Sequence, residues 1–111
     1  AAEAKRQAHI AGLIKQENEN AQFERKLQDI LVSMYGEQDG LDVWWGKVRF
    51  GFTTEMCQTA YRHCGPYKIA YNVYTPVGEA TKYTWLEDRT SLYFIDDCLI
   101  GIEVVEKVRW K

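Results

Sequence analysis

Residues 67–105 read YKIAYNVYTPVGEATKYTWLEDRTSLYFIDDCLIGIEVV, and the class of fold turns on this stretch. From Tyr67 to Thr75, Tyr67, Ile69, Tyr71 and Val73 alternate with polar or small residues, Tyr74 apart, which is the period of a half-buried strand. Pro76-Val77-Gly78 is a turn, because proline presets one backbone angle and glycine accepts what most residues avoid. Glu79 to Leu86 reads as a second strand with Tyr83 and Trp85 on one face. Glu87-Asp88-Arg89 turns the chain, Ser91 to Ile95 forms a third strand, Asp96-Asp97 turns it again, and Leu99 to Val105 extends as a fourth. Short strands joined by tight turns make an antiparallel meander of three to four strands.

Upstream of the meander the period changes. Thr53 or Thr54 is placed to cap a helix, with Glu55 in its first turn. That helix runs to about His63 and buries Met56, Cys57, Ala60 and Tyr61. Gly65-Pro66 ends it. Before it, Gln38-Asp39-Gly40 suggests a break, Leu41 to Gly46 a short helical turn, and Lys47 to Phe50 an extended connector. From Glu3 to Tyr35 the chain is free of proline and rich in helix formers, and Gly36 follows as a stop. Ile10, Leu13 and Ile14 form one apolar patch. Phe23, Leu27, Ile30, Leu31 and Met34 form a second, at helical spacing, expected to pack on the domain. Between the patches Lys15 to Gln22 reads KQENENAQ, which buries no face. The expectation is an α+β chain: residues 1–22 as an N-terminal helical arm or tether, then residues 23–111 as one domain. In that domain a short helix leads into the meander, which helix covers on one face.

Composition narrows the function. The 111 residues carry 14 basic and 16 acidic side chains, a formal net charge of −2. So small an imbalance, without a basic stripe, argues against a general nucleic-acid binder or an RNA-binding sheet. No apolar run approaches the ~18–20 residues of a membrane-spanning helix. Phosphate-binding loops, dinucleotide fingerprints and nucleophile elbows are all missing from the sequence.

The order of motifs resembles a known family. Val48-Arg49-Phe50-Gly51-Phe52-Thr53-Thr54-Glu55-Met56-Cys57 is similar to the V-x-x-G-M-T-x-E-M opening of bacterial domains of the SmpA/OmlA (BamE-like) kind, whose fold beta-lactamase-inhibitor-like proteins share. Gly65-Pro66 stands for the family's G-x-P break, Tyr83-Thr84-Trp85 for its W-x-Y strand, and Ser91 to Cys98 for its Y-L-Y-F-[DE]-N-G hairpin. Met34-Tyr35-Gly36 and Gly46-Lys47-Val48 match its K-Y-G and G-K-V. The departures are Phe52 for Met, the shortened Gly65-Pro66, Leu86-Glu87 after Trp85, and Cys98 in place of a turn glycine. The resemblance implies a non-enzymatic interaction or scaffold module of the bacterial cell envelope or periplasm, with an unknown protein partner. It also allows an inhibitor- or immunity-type binder of an enzyme, and a membrane tether upstream of Ala1.

The residues themselves offer few reactive sites. Cys57, His63, Cys64 and Cys98 lack the paired spacing of a zinc site, so no metal and no cofactor is expected. Cys57 and His63, six positions apart, point to different sides of a helix and form no dyad. A Cys64–Cys98 disulfide is open to an oxidising compartment, and three cysteines leave one over. Asp96-Asp97 and Glu87-Asp88 raise the alternative of a small hydrolase using loop acids, yet acids favour turns for conformational reasons and no catalytic residue is expected. The aromatics remain. Tyr67 and Tyr71, or Tyr74, Tyr83 and Tyr93, either line an open sheet face or pack its inner side with hydroxyls at the rim. Trp44 and Trp45 cannot both point inward from an extended segment. Trp44, Trp45, Tyr74 and Tyr83 are therefore the candidate partner-binding residues, and Ile10, Leu13 and Ile14 a candidate surface for self-association through the N-terminal helix.

Overall fold

The structure is a computed structural model that describes residues 21–111. The chain divides into two compact units, with the division after Leu41. The Ile10–Leu13–Ile14 patch and nearly all of the expected arm lie outside the described residues.

In the first unit, helix α1 occupies residues 21–35 of the described chain. Gly36, at φ +89°, stops it as expected. Its N–H still reaches back to the Val32 carbonyl at 2.9 Å. Helix α2, Glu37–Trp44, then begins at once, with Glu37 and Asp39 in its first turn where the helix dipole favours acids. The expected break at Gln38-Asp39-Gly40 is therefore a helix. Gly40 is there for another reason: a Cβ on it would fall 2.6 Å from backbone atoms of Leu31 and Val32. The glycine lets two helices touch backbone to backbone. Of the second apolar patch only Leu31 is buried, while Phe23, Ile30 and Met34 are exposed. Of the patch expected to pack on the domain, Leu31 is thus buried and Leu27 half-buried.

The second unit starts with the end of α2. Gly46 and Lys47 close that helix with hydrogen bonds to the carbonyls of Val43 and Asp42, and Arg49 adds an ion pair to Asp42 at 3.3 Å. The connector reaches the sheet where Gly51 N–H donates to the Leu99 carbonyl and Leu99 N–H to that of Phe52. Helix α3, Thr54–Ala60, follows. Thr53 is its cap, its hydroxyl accepting from Met56 N–H at 3.2 Å. The helix ends three residues before the expected His63, because Tyr61 leaves helical geometry and Gly65 takes φ +79°.

The sheet contains five antiparallel strands in sequence order: β1 Tyr67–Thr75, β2 Gly78–Trp85, β3 Thr90–Ile95, β4 Cys98–Val104 and β5 Lys107–Trp110. This confirms the α+β class and adds a strand to the expected three to four. The turn before β5 hides it from sequence reading. Val105 and Glu106 both adopt left-handed backbone, at φ 47° and 69°, where a hairpin normally shows Asn or Gly.

Strand register sorts the side chains. Trp85 pairs with Thr90, and Tyr83, Leu92 and Ile102 lie abreast on the same face. Helix α3 lies on that face: Gln58 donates to the Tyr67 hydroxyl at 3.1 Å, and the Tyr61 ring meets Trp85 edge-on at 4.9 Å. Phe52, Met56, Cys57, Trp85, Leu92, Phe94, Leu99 and Ile102 are all buried and form the core. The opposite face carries a smaller cluster of Ala80, Tyr93 and Ile100, bordered by Val73, Ile95 and Trp110. Trp110 lies over Gly101, where any added methyl would collide with its ring.

Two face assignments differ from the pattern. A bulge between Ala70 and Val73, with Asn72 at φ 56°, reverses the alternation of β1. Tyr67 and Ile69 thus share the α3 face, whereas Val73 joins the opposite cluster. Tyr83 and Tyr93 also sit on opposite faces, since Tyr83 pairs with Leu92 and Tyr93 with Lys82. An extra residue in one strand shifts every later side chain to the other side, and composition carries no trace of it.

Candidate functional site

The acids and thiols of the sequence take up structural positions. Asp97 Oδ1 accepts the Thr54 N–H at 3.0 Å, beside the cap that Thr53 supplies to α3. Hydrogen bonds from the Thr54 hydroxyl and N–H hold the Asp97 carboxyl below the usual aspartate range. A carboxylate whose folded pKa is depressed adds stability above its unfolded value, and that gain disappears as pH falls through the folded value. Asp97→Asn is therefore expected to lower stability at pH 7 and to have a progressively smaller effect as pH falls through the depressed folded value and the native carboxyl is protonated. Thermal melts of the two proteins between pH 2.5 and 7 check this; parallel curves throughout would exclude the cap. Its neighbour Asp96 sits in the same turn at φ 50°.

All three cysteines are free. Burial, with Asp97 nearby, pushes the Cys57 thiol up to about 12, so it stays a protonated core group at neutral pH. Cys64 rises to about 11, first through burial and then through a hydrogen bond and repulsion from Asp88. Cys98 instead points its sulfur at the Gly51 carbonyl, 3.8 Å away. Cys57 is buried whereas His63 is exposed. Among the described residues no group of three or more His, Cys, Asp and Glu side chains could hold a metal ion.

A shallow recess of ≈ 240 Å³ opens on the sheet face away from α3. Its floor is the hydroxyl pair Thr84 and Ser91, 3.0 Å apart, and Arg89, Val105 and Glu106 line one end. Lys82 stands 3.9 Å from Glu103 and over the Tyr93 ring at 5.4 Å, while the Tyr93 hydroxyl reaches Glu103 at 3.4 Å. Two cations and two anions balance here. The hydroxyls bond to each other, and Glu103, paired across the strands with Ser91, is engaged by Lys82 and the Tyr93 hydroxyl.

The aromatics divide into a packed row, half open to solvent at Tyr67, and an exposed set. Tyr83 belongs to the row, with its ring centroid 5.6 Å from Tyr67, 6.3 Å from Trp85 and 5.4 Å from Phe94. Burial raises the Tyr83 hydroxyl and lifts that of Tyr61 to about 12. Trp44 and Trp45 meet edge-on at 4.8 Å. Arg62 fixes this pair, one guanidinium nitrogen donating to the Thr59 carbonyl at 2.9 Å and the other to the Trp44 carbonyl at 3.2 Å. Trp45 is 67% exposed and Tyr74 83%.

Tyr74 faces the same side as Tyr83. It pairs with Glu79, however, which leaves the two rings about 13 Å apart along the strands. The four candidate residues are thus three separate places: the Trp44–Trp45 pair, the ring row and the tip of the first hairpin. Sequence reasoning weighed Tyr71 for an open sheet face but left it, with Ile69, out of the candidate set beside Tyr74. Ile69 at 40% and Tyr71 at 69% exposed complete an apolar edge on β1. The available signal was that β1 begins the meander, and a first strand in sequence order is an edge strand. None of the family models, curated proteins or solved structures compared with this chain matches it.

Proposed function

We propose that this chain is a protein-interaction module, non-enzymatic, whose partner docks along β1. The observation that carries this reading is the edge itself. Among the described residues β1 has one neighbour, β2, and Tyr67, Ile69, Tyr71 and Tyr74 are all exposed along it. Lys68 is the one charged residue in its nine. The other edge, β5, is four residues long with Lys107 and Arg109, and such short charged edges resist pairing. An edge that combines unpaired backbone groups with aromatic anchors suits an extended partner segment. The bacterial cell envelope as its setting follows from the resemblance to the SmpA/OmlA kind.

A photo-crosslinking residue placed at Tyr71 or Tyr74 in cells, against a control at Glu106, tests the docking edge. One defined adduct from both β1 positions and none from Glu106 is expected, in the envelope fraction. Adducts of the same pattern from all three positions would rule out β1 as the docking edge, and a chain confined to the cytosol would rule out the envelope.

A further inference from the structure

Among the described residues, six other than glycine have left-handed backbone: Asn72, Arg89, Asp96, Asp97, Val105 and Glu106. Asn and Asp accept this conformation because their short polar side chains bond locally. Arg89, Val105 and Glu106 lack that compensation, and branched Val105 at φ 47° is a genuine outlier. All three line the same recess, beside Thr84 and Ser91. They come from two turns, β2–β3 and β4–β5, which Val105 N–H joins by donating to the Arg89 carbonyl at 3.1 Å. Glycine or asparagine would relieve each position, and Val105-Glu106 stands where a tight hairpin favours Asn-Gly. Strain gathered at one recess points to a need for these three side chains there.

We infer that the recess binds a free α-amino acid, its carboxylate on Arg89 and its ammonium on Glu106, independently of whatever docks on β1. Neither the Arg89 guanidinium nor the Glu106 carboxylate has a hydrogen bond or ion pair among the described residues, although both line one end of the recess. At the floor, Ser91 is 3% exposed and shares one proton with Thr84 across 3.0 Å, which leaves a second O–H for the ligand carboxylate. At the other end Lys82 and Glu103 are engaged with each other and with Tyr93. This balance selects the class of ligand. Glu103 and Glu106 repel a phosphate, and Lys82 and Arg89 repel a polyamine. A sugar ring favours an aromatic platform, and Lys82 already covers the Tyr93 ring at 5.4 Å. A zwitterion meets one free cation and one free anion, each through a charge-assisted hydrogen bond. Val105 supplies an apolar contact for the ligand's carbon atoms. At ≈ 240 Å³ the recess is below the ~300–1,000 Å³ of drug-sized sites, which limits the ligand to a few heavy atoms.

Titrating the isotope-labelled full chain with single L-α-amino acids, read by amide NMR shifts, tests this. A few heavy atoms hold a Kd on the order of 1 mM, so the titration runs to about 20 mM. At least one amino acid should move the amides of Thr84, Arg89, Ser91 and Glu106 while those of β1 stay in place. Its amide lacks the carboxylate and its N-acetyl derivative lacks the ammonium, and each should bind at least about tenfold more weakly. Arg89→Gln and Glu106→Gln should do the same, with melting temperatures near wild type showing that both fold. Val105→Asn with Glu106→Gly should raise the melting temperature and lose the ligand. No shift with any amino acid overturns the inference, as does unchanged binding by the blocked derivatives or the single variants. Larger shifts at the same amides with inorganic phosphate or glucose overturn the zwitterion. A lower melting temperature in the double variant overturns the strain argument.

Discussion

Replacing Trp85 with alanine should bring the sheet unit to the margin of stability at room temperature. Trp85 is 1% exposed and is among the largest fully buried side chains. Its ring lies 4.9 Å from Tyr61, 5.2 Å from Tyr67 and 6.3 Å from Tyr83, so it is the hub of the row that joins α3 to the first two strands. Removing a buried aromatic costs about 3–5 kcal/mol through lost transfer energy and the cavity left behind. Small domains have only about 5 kcal/mol to lose at the low end of the usual range. Urea denaturation followed by far- and near-UV circular dichroism measures the change. Trp85→Phe, which retains a ring, should lose less than half as much. An alanine variant with a midpoint close to wild type would show that the row is not a core.

The second large effect is at Gly40. Gly40→Ala improves intrinsic helix propensity by about 1 kcal/mol, so an exposed helix position would gain stability. Here the new methyl would meet the backbone of Leu31 and Val32 at 2.6 Å, and backbone cannot swing aside as a side-chain tip can. The expected result is a net loss of about 1–3 kcal/mol, with α1 and α2 forced apart. Gly36→Ala is the control. Nothing lies within 4 Å of its would-be Cβ, and its cost comes from φ +89° alone. Hydrogen exchange on α1 separates the two: Gly40→Ala should deprotect Leu31 and its neighbours, while Gly36→Ala should loosen only the turn. Gain of stability in Gly40→Ala would mean that the helices do not make this contact.

Gly40 also shows where sequence reading ended. Gln38-Asp39-Gly40 has the composition of a break, and a single chain does not reveal whether a glycine is there to bend the backbone or to let another backbone approach. The second apolar patch, on α1, is a similar case. A row at helical spacing states which residues share a face, and only packing decides whether that face is used. The candidate interaction residues divided for the same reason. Trp44, Trp45, Tyr74 and Tyr83 are equally aromatic, yet neighbours brought by the fold make Tyr83 part of a ring row and leave Tyr74 in solvent. Tyr71 was weighed for an open face, but Ile69 was not, because its alternation with polar residues looks the same in a covered strand as in an edge strand.

What the sequence determined by itself is what local physics determines. Period-two alternation made β1 to β4, a threonine before an acidic turn capped α3, and Gly36, Gly65-Pro66 and the aspartates at 96 and 97 placed the ends. These signals act within a few residues, so they can be read along the chain. The tertiary structure decided the rest. It placed Val105 and Glu106 in a left-handed turn that their residue types do not announce, and so added β5. It put a bulge in β1 that reversed the side of Val73, brought Asp97 across 43 positions to the start of α3, and gave Gly40 its purpose. Each depends on an atom far away in sequence, where backbone contact or a hydrogen bond outweighs local preference.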